Sequence, residues 1–144
     1  MDNLEWIGEF FSTHKLQVSK IFSAGGCREL WLQGQIFLHL EEEGLLTNAT
    51  QHKFDLYLPE RFVFEIKMLG GYFQSKVKDG LCADFNKLAS KSLHEKKYVM
   101  LVLDNQIGTD TKLYDSLSKF EHDSGKRLVE LFFGEFSVIV WDVL

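Results

Sequence analysis

The sequence predicts an α/β domain, because segments with helical periodicity alternate along it with segments typical of strands. From Lys53 to Met68, apolar and charged side chains alternate, which is the pattern of two half-buried strands joined by a short turn. The nearly unbroken apolar run from Lys97 to Asp104 indicates a strand buried on both faces. Between them, apolar residues at helical spacing over 78–90 indicate a helix.

Length and composition indicate one folded domain that spans residues 1–144. The chain has 144 residues, of which 45% are hydrophobic, and a single proline. A chain of this size can bury a hydrophobic core without the help of disulfides or a structural metal. No apolar run reaches the roughly 18 residues of a membrane span. Cys27 and Cys82 lie far apart in a chain whose start does not resemble a signal peptide. We therefore expect reduced thiols in a cytoplasmic protein.

Two helices and a strand are predicted before the hairpin. A short amphipathic helix is expected over Asp2–Thr13, with Asp2 as its cap. A second helix is expected over Arg28–Glu43, and its apolar character around most of the circumference predicts that it is largely buried. Gly44 ends this helix, and residues 45–52 supply a first strand.

The hairpin has a predictable register if residues 59–61 form its loop. Three apolar pairs then share one face: Leu58 with Phe62, Leu56 with Phe64, and Phe54 with Ile66. The same register places Asp55 directly opposite Glu65, where two like charges destabilise the pair. We therefore expect a cation near the two carboxylates. Lys67 lies two residues from Glu65 and so on the same face of the strand.

These residues carry a family resemblance. Asp55 on one strand, followed by Glu65-Ile66-Lys67 on the next, resembles the signature of the PD-(D/E)XK nuclease superfamily. The predicted order of helix, three strands, helix and strand, over roughly 28–104, is similar to the core of that superfamily. The resemblance implies a restriction-endonuclease-like αβββαβ core, in which helices flank a central mixed sheet, with a further helix and strands at the C-terminus.

The resemblance also implies a function, that of a metal-dependent nuclease. Such an enzyme would hydrolyse phosphodiester bonds in DNA, with RNA as the alternative substrate, and would use Mg²⁺ with Mn²⁺ as a substitute. Asp55 and Glu65 would hold the metal, with the carbonyl of Ile66 as a third ligand. Two carboxylates suffice because Mg²⁺ retains several waters. Lys67 would contact the scissile phosphate, and Glu29 resembles the acidic residue that many members carry on the helix before the sheet.

Three alternatives remain open for these charged residues. The chain is also consistent with a binding or protein-interaction module on the same fold that hydrolyses nothing. It is consistent with an unrelated α+β domain, in which Lys67 and the two acids form a surface ion-pair network. Glu29 alone is explained by the favourable interaction of a carboxylate with a helix N-terminus.

A lysine-rich stretch is the candidate surface for DNA. The net charge of −5 argues against strong nonspecific DNA binding, but residues 66–97 contain seven lysines and three acids. Of these lysines, Lys76, Lys78 and Lys87 are expected to contact phosphates; the alternative is a solubilising helix face. Asp84 and Lys87 also resemble an acid and a lysine that some nuclease families carry on this helix. Specificity would then come from a homodimer, a partner protein or DNA structure.

The C-terminal residues are predicted to add a helix and two strands. The helix is expected over Lys112–Glu121, and the strands over Arg127–Phe133 and Glu135–Val143, joined near Gly134. The last strand is equally consistent with a sheet edge used for dimerisation.

Overall fold

Five strands form one mixed sheet with helices on both of its faces. The computed structural model describes residues 3–24, 28–47, 53–69, 77–105 and 111–144, without the side chains of residues 28, 77 and 111–114. The elements are, in chain order, α1 (Glu5–Thr13), α2 (Lys15–Ala24), α3 (Arg28–Leu40), β1 (Leu56–Leu58), β2 (Phe62–Leu69), α4 (Val77–Ala89), β3 (Lys96–Asp104), α5 (Thr111–Ser118), β4 (Gly125–Phe132) and β5 (Phe136–Val143). A 3₁₀ turn, Glu41–Glu43, follows α3 and ends at Gly44, which has a left-handed φ of 91°.

The strand order in the sheet is β1-β2-β3-β5-β4. The neighbours β2 and β3 are parallel, and α4 connects them; the other pairs are antiparallel. The last strand, β5, therefore lies inside the sheet between β3 and β4. The suggestion that this strand is an edge used for dimerisation is wrong, because both of its sides are already paired.

The sheet separates two hydrophobic cores. One core lies between the sheet and the helices α1, α2 and α3, and the other between the sheet and the helices α4 and α5. Alternate residues of β2 enter the two cores, so that Phe64 faces the first and Val63 the second. The hairpin strands are thus buried on both faces and are not half-buried as predicted. The charged residues of β2 lie on a face that α4 covers.

The hairpin register is confirmed over the length of β1. Leu56 pairs with Phe64 and Leu58 with Phe62, as predicted. The third predicted pair is wrong, since Phe54 belongs to the core on the α4 side while Ile66 belongs to the other. The chain bends at Asp55 and enters the ladder only at Leu56, so the alternation of the strand does not extend back to Phe54.

The first half of the chain departs from its predicted elements in three places. Residues 15–22, for which the sequence predicts no element, form most of α2. The proposed cap Asp2 lies outside the described residues. The strand predicted over 45–52 is represented by one isolated bridge, between Leu46 and Tyr57, and residues 48–52 lie outside the described ones.

The helix α3 is less buried than its composition predicted. Leu30 is 66% exposed and Leu38 is 58% exposed, so one side of this helix faces solvent. Cys82 is a free thiol, and Cys27 lies outside the described residues. Within the described ranges, no helix has both the length and the apolar character needed to cross a membrane.

Candidate functional site: a charged cluster at the open edge of β2

The short strand β1 leaves part of the edge of β2 unpaired. β1 covers only Phe62 to Phe64, whereas β2 continues to Leu69. Along a strand, the backbone groups of alternate residues point to the same edge, so Ile66 and Met68 direct their N–H groups to the side that β1 leaves open. This edge is the frame of the candidate site.

Two carboxylates occupy the place of the missing strand. The N–H of Ile66 donates to Asp55 Oδ2 at 2.7 Å, and the N–H of Met68 lies 3.4 Å from Glu29 Oε2. Asp55 immediately precedes β1, and Glu29 lies in the first turn of α3. The candidate residue Glu29 thus lies at the open edge of β2, although α3 packs on the face of the sheet opposite to α4.

Asp55 and Glu65 lie together, as the hairpin register predicted. The N–H of Asp55 lies 3.4 Å from Glu65 Oε2. The contact is not part of the ladder, which ends at Leu56, so the two residues are linked by side-chain to backbone bonds. Glu65 is 4% exposed and is one of two polar residues buried among the described residues.

The helix α4 supplies a second acid and a second lysine. The ammonium of Lys67 lies 3.1 Å from Asp84 Oδ2, and the ammonium of Lys87 donates to Glu65 Oε1. Each charged residue of the strand is therefore paired with the opposite charge on the helix. The sequence predicts a cation near the two carboxylates and places Lys67 on the same face of the strand; in the structure the cation bound to Glu65 is Lys87.

The pairing follows from spacing in the two elements. Residues two apart share a face of a strand, and residues three apart share a face of a helix. Glu65 and Lys67 on β2 therefore meet Asp84 and Lys87 on α4, and the stem of Lys67 runs beside Gly80. The spacing of Asp84 and Lys87 on α4 is visible in the sequence, where it is also consistent with a solvated helix face.

The pKa values of the cluster are shifted by burial and by neighbouring charges. Burial, together with the charge of Asp55, raises the pKa of Glu65 to about 7. Burial also raises the pKa of Glu29 and that of Asp84, despite the nearby ammonium of Lys67. Burial opposes the charge of Lys67, but the negative charges of Asp84, Glu29 and Asp55 together outweigh it and raise the pKa of this lysine. The raised pKa values thus favour the neutral form of Glu29, Glu65 and Asp84 and the charged form of Lys67.

The charges of the cluster do not balance. It contains the four carboxylates of Glu29, Asp55, Glu65 and Asp84, and the two ammonium groups of Lys67 and Lys87. If all six were ionised, two negative charges would remain. Asp84 Oδ2 is buried and makes no hydrogen bond of good geometry, although it lies near Lys67. An added hard cation would relieve both features.

The residues at this edge offer Mg²⁺ the three protein ligands that the resemblance implies, and no more. Asp55 and Glu65 offer carboxylate oxygens, and the carbonyl of Ile66 points to the same open edge as its N–H. In the described part of the chain, no group of three or more His, Cys, Asp or Glu side chains is arranged to hold a metal ion. A metal held here would therefore rely on two carboxylates, a backbone oxygen and water.

The predicted DNA-contacting lysines are divided by the structure. Lys78 is exposed in the first turn of α4, and Lys76 lies outside the described residues. Lys87 is half-buried in the charged cluster, where its ammonium also donates to the carbonyl of Lys53 at 2.7 Å. Lys87 is therefore not a free surface lysine, as a simple DNA contact would require, because its ammonium is bound within the cluster.

Comparison of the chain with protein-family models, with characterised proteins and with solved structures finds no match. The mixed sheet flanked by helices is established by the structure alone. The resemblance to the PD-(D/E)XK superfamily remains a prediction from the sequence.

Proposed function

We propose that the protein is a metal-dependent nuclease that hydrolyses phosphodiester bonds in DNA. One observation carries the proposal: Asp55 and Glu65 meet at the open edge of β2, with a surplus of negative charge around them. Buried like charges of this kind destabilise a fold unless a partner compensates them. Their presence beside Lys67 supports a catalytic use.

Asp55, Glu65 and the carbonyl of Ile66 would hold the metal. A bound Mg²⁺ supplies a Lewis acid for the phosphate and lowers the pKa of a bound water. Ile66 N–H fixes Asp55 through a 2.7 Å bond, and the backbone of Asp55 in turn contacts Glu65. These bonds hold the two carboxylates in place before any ligand binds, which avoids an ordering cost at binding.

Lys67 would neutralise charge on the phosphate. An ammonium group has three N–H donors, so Lys67 can keep its contact with Asp84 and still donate to a phosphate oxygen. Asp84 contributes to the raised pKa of Lys67, and its contact holds the ammonium near the carboxylates. Glu29 would fix the edge of β2 through Met68 and add negative charge to the metal side of the site.

The DNA backbone would approach along α4. Lys78 is exposed on this helix, and the strongly acidic character of the site itself would repel a phosphate in the absence of metal. Metal binding would remove that repulsion. The substrate is therefore expected to bind more tightly when the metal is present.

A second function is favoured by a different observation. Both lysines of the cluster are already paired with carboxylates, as in an ion-pair network whose only task is to join α4 to β2. A binding or protein-interaction module on the same fold would have this arrangement and would hydrolyse nothing. RNA is the alternative substrate if hydrolysis occurs.

Cleavage of plasmid DNA, DNA oligonucleotides and RNA separates these functions. The purified protein would be assayed with Mg²⁺, Mn²⁺, Ca²⁺ or EDTA, alongside Asp55→Asn and Lys126→Met. Lys126 is exposed on β4, at the edge of the sheet far from β1, and serves as the matched control. We expect cleavage with Mg²⁺ and Mn²⁺, binding without cleavage with Ca²⁺, and loss of cleavage in Asp55→Asn alone. Equal rates in EDTA, or no cleavage of any substrate, would remove the nuclease proposal.

A further inference from the structure

Lys87 occupies a position that a metal ligand set would need. Its ammonium binds Glu65 Oε1 and also donates to the carbonyl of Lys53 at 2.7 Å. A metal held by Glu65 requires the same carboxylate, whose other oxygen already contacts the N–H of Asp55. Two cations bound to one carboxylate would repel each other strongly in a half-buried site.

Lys87 is also the lysine of the cluster that is freer to leave. Its side chain is 37% exposed and its partner Glu65 only 5%, so solvent reaches the lysine but hardly the acid. Lys67 is 26% exposed, and its stem passes beside Gly80 on the way to Asp84. A long flexible side chain that solvent already reaches can change rotamer without disturbing the core.

We propose that Lys87 is an internal counterion of Glu65, which a divalent cation displaces when it binds between Asp55 and Glu65. This inference rests on the proposed function, because it concerns the same metal site. In the metal-free protein Lys87 neutralises the buried acid. Once displaced, its ammonium stays within reach of the site and is available to a phosphate oxygen of the substrate. Metal binding then exchanges one cation for another and exposes a phosphate-binding group.

The exchange predicts that removing the Lys87 charge tightens metal binding. Lys87→Met keeps an unbranched aliphatic stem and removes the ammonium, whose nitrogen lies 5.3 Å from the centroid of the Phe54 ring. Titration calorimetry with Mn²⁺ on the full chain should give a dissociation constant lower by roughly tenfold, the factor that corresponds to one charge-assisted hydrogen bond of modest net strength. Lys126→Met removes one positive charge at the far edge of the sheet and should leave the constant unchanged.

Thermal melts provide a readout that does not depend on catalysis. In EDTA, Lys87→Met should melt at a lower temperature than the wild type, because Glu65 is left buried without its cation. Addition of Mn²⁺ should raise its melting temperature by more than it raises that of the wild type. Lys87→Arg keeps a cation at this position and should behave like the wild type in both measurements, which guards against a trivial folding defect in the methionine variant.

The outcomes separate the inference from the function on which it rests. If the wild type binds Mn²⁺ and Lys87→Met binds it no more tightly, Lys87 is not a displaced counterion, and the nuclease proposal is unaffected. If tighter binding is shared by Lys126→Met, the effect is one of net charge and the inference is also wrong. If the wild type does not bind Mn²⁺ at all, both the inference and the metal site of the proposed function are overturned.

Discussion

The carboxylate of Asp84 on α4 lies 3.1 Å from the ammonium of Lys67 on β2. This contact joins the helix that follows β2 to the strand that carries the candidate catalytic residues. It also explains why the pKa of Lys67 is raised although burial opposes its charge. Asp84 is thus a positioning residue: it acts on the site through Lys67.

Lys67→Ala should abolish most of the cleavage while leaving metal affinity nearly intact. Lysine is not a metal ligand, and removing one group that stabilises transition-state charge lowers turnover by about 10²–10³-fold. Cleavage rates and Mn²⁺ titration on the same preparation test both halves of this expectation.

Asp84→Asn provides the graded comparison. It keeps the shape of the side chain but removes the charge that holds the Lys67 ammonium in position, so turnover should fall less than in Lys67→Ala. A Lys67→Ala variant that cleaves at the wild-type rate would show that the assigned motif is not the catalytic one. A Lys67→Ala variant that loses metal binding as well as cleavage would show that Lys67 has a structural role.

The architecture was predictable where local patterns suffice. The hairpin register around Leu56 and Phe64 follows from alternation and loop length, and it brought Asp55 and Glu65 together correctly. The buried strand β3 follows from its apolar run. These features depend on residues that are close in sequence.

The remaining features depend on contacts between residues far apart in the chain, and local sequence patterns do not predict such contacts. Phe54 leaves the predicted apolar face because the chain bends at Asp55 before the ladder begins, and no pattern of polar and apolar residues signals that bend. The placement of Lys87 against Glu65 depends on the rotation of α4 over the sheet. The interior position of β5 depends on strand order, since a terminal apolar strand fits an edge or a centre equally well.

Two glycine substitutions test how α4 packs. A β-carbon on Gly125 would lie 2.5 Å from Cε1 of Phe85, a fully buried ring that stacks on His122. Gly125→Ala should therefore lower the free energy of unfolding by about 1–3 kcal/mol, the usual cost of overpacking a core. Urea denaturation measures the change.

Gly80→Ala is the matched control for this test. Its new β-carbon would make only ordinary contact with Lys67 Cε, at 3.5 Å, and alanine is the better helix former by about 1 kcal/mol. We expect this variant to be as stable as the wild type or more so. If both variants lose stability equally, the packing of α4 differs from that described.

The hairpin turn contains a strained residue that can be relieved. Glu60 has a φ of 69°, a conformation that costs a residue with a β-carbon about 1–2 kcal/mol relative to glycine. Its N–H donates to Glu95 Oε2 at 3.0 Å, a bond that glycine retains. Glu60→Gly should therefore raise the melting temperature despite the greater freedom of glycine in the unfolded chain.

Glu60→Ala separates strain from charge in that test. It removes the same exposed ion pair with His94 but keeps the strained backbone. Exposed pairs of this kind contribute little, so the alanine variant should melt close to the wild type. Equal melting temperatures for the glycine and alanine variants would show that the turn is not strained.

DNA affinity should depend on Lys78 in a salt-dependent way. If this exposed lysine contacts one phosphate, Lys78→Ala should lower the slope of log affinity against log salt by roughly 0.9. The measurement is a filter-binding or anisotropy titration in Ca²⁺ over a range of salt concentrations. Lys126→Ala, which removes a lysine from the far edge of the sheet, should leave the slope unchanged. An unchanged slope in Lys78→Ala would move the DNA-contacting surface elsewhere.

The pairing of Asp55 with Glu65 predicts how metal changes stability. Asp55 raises the pKa of Glu65, which means that the two carboxylates repel each other in the metal-free protein. A metal that binds only the native state adds RT ln(1 + [L]/Kd) to the free energy of unfolding, about 2.7 kcal/mol at a concentration of 100 Kd. Millimolar Mn²⁺ should therefore raise the melting temperature of the wild type.

Asp55→Asn tests this repulsion directly, because asparagine can still accept the hydrogen bond from Ile66 N–H while it removes one charge. In EDTA the variant should be as stable as the wild type or slightly more so, and most of the rise in Mn²⁺ should be lost. Asp79→Asn, which removes an exposed acid from α4, should keep the whole rise. A purely structural ion-pair network predicts the reverse, since loss of Asp55 would destabilise the protein and metal would change neither variant. The melts of the three proteins in EDTA and in Mn²⁺ decide between them: a wild type that is indifferent to metal, or an Asp55→Asn variant that keeps the full rise, excludes Asp55 as a metal ligand.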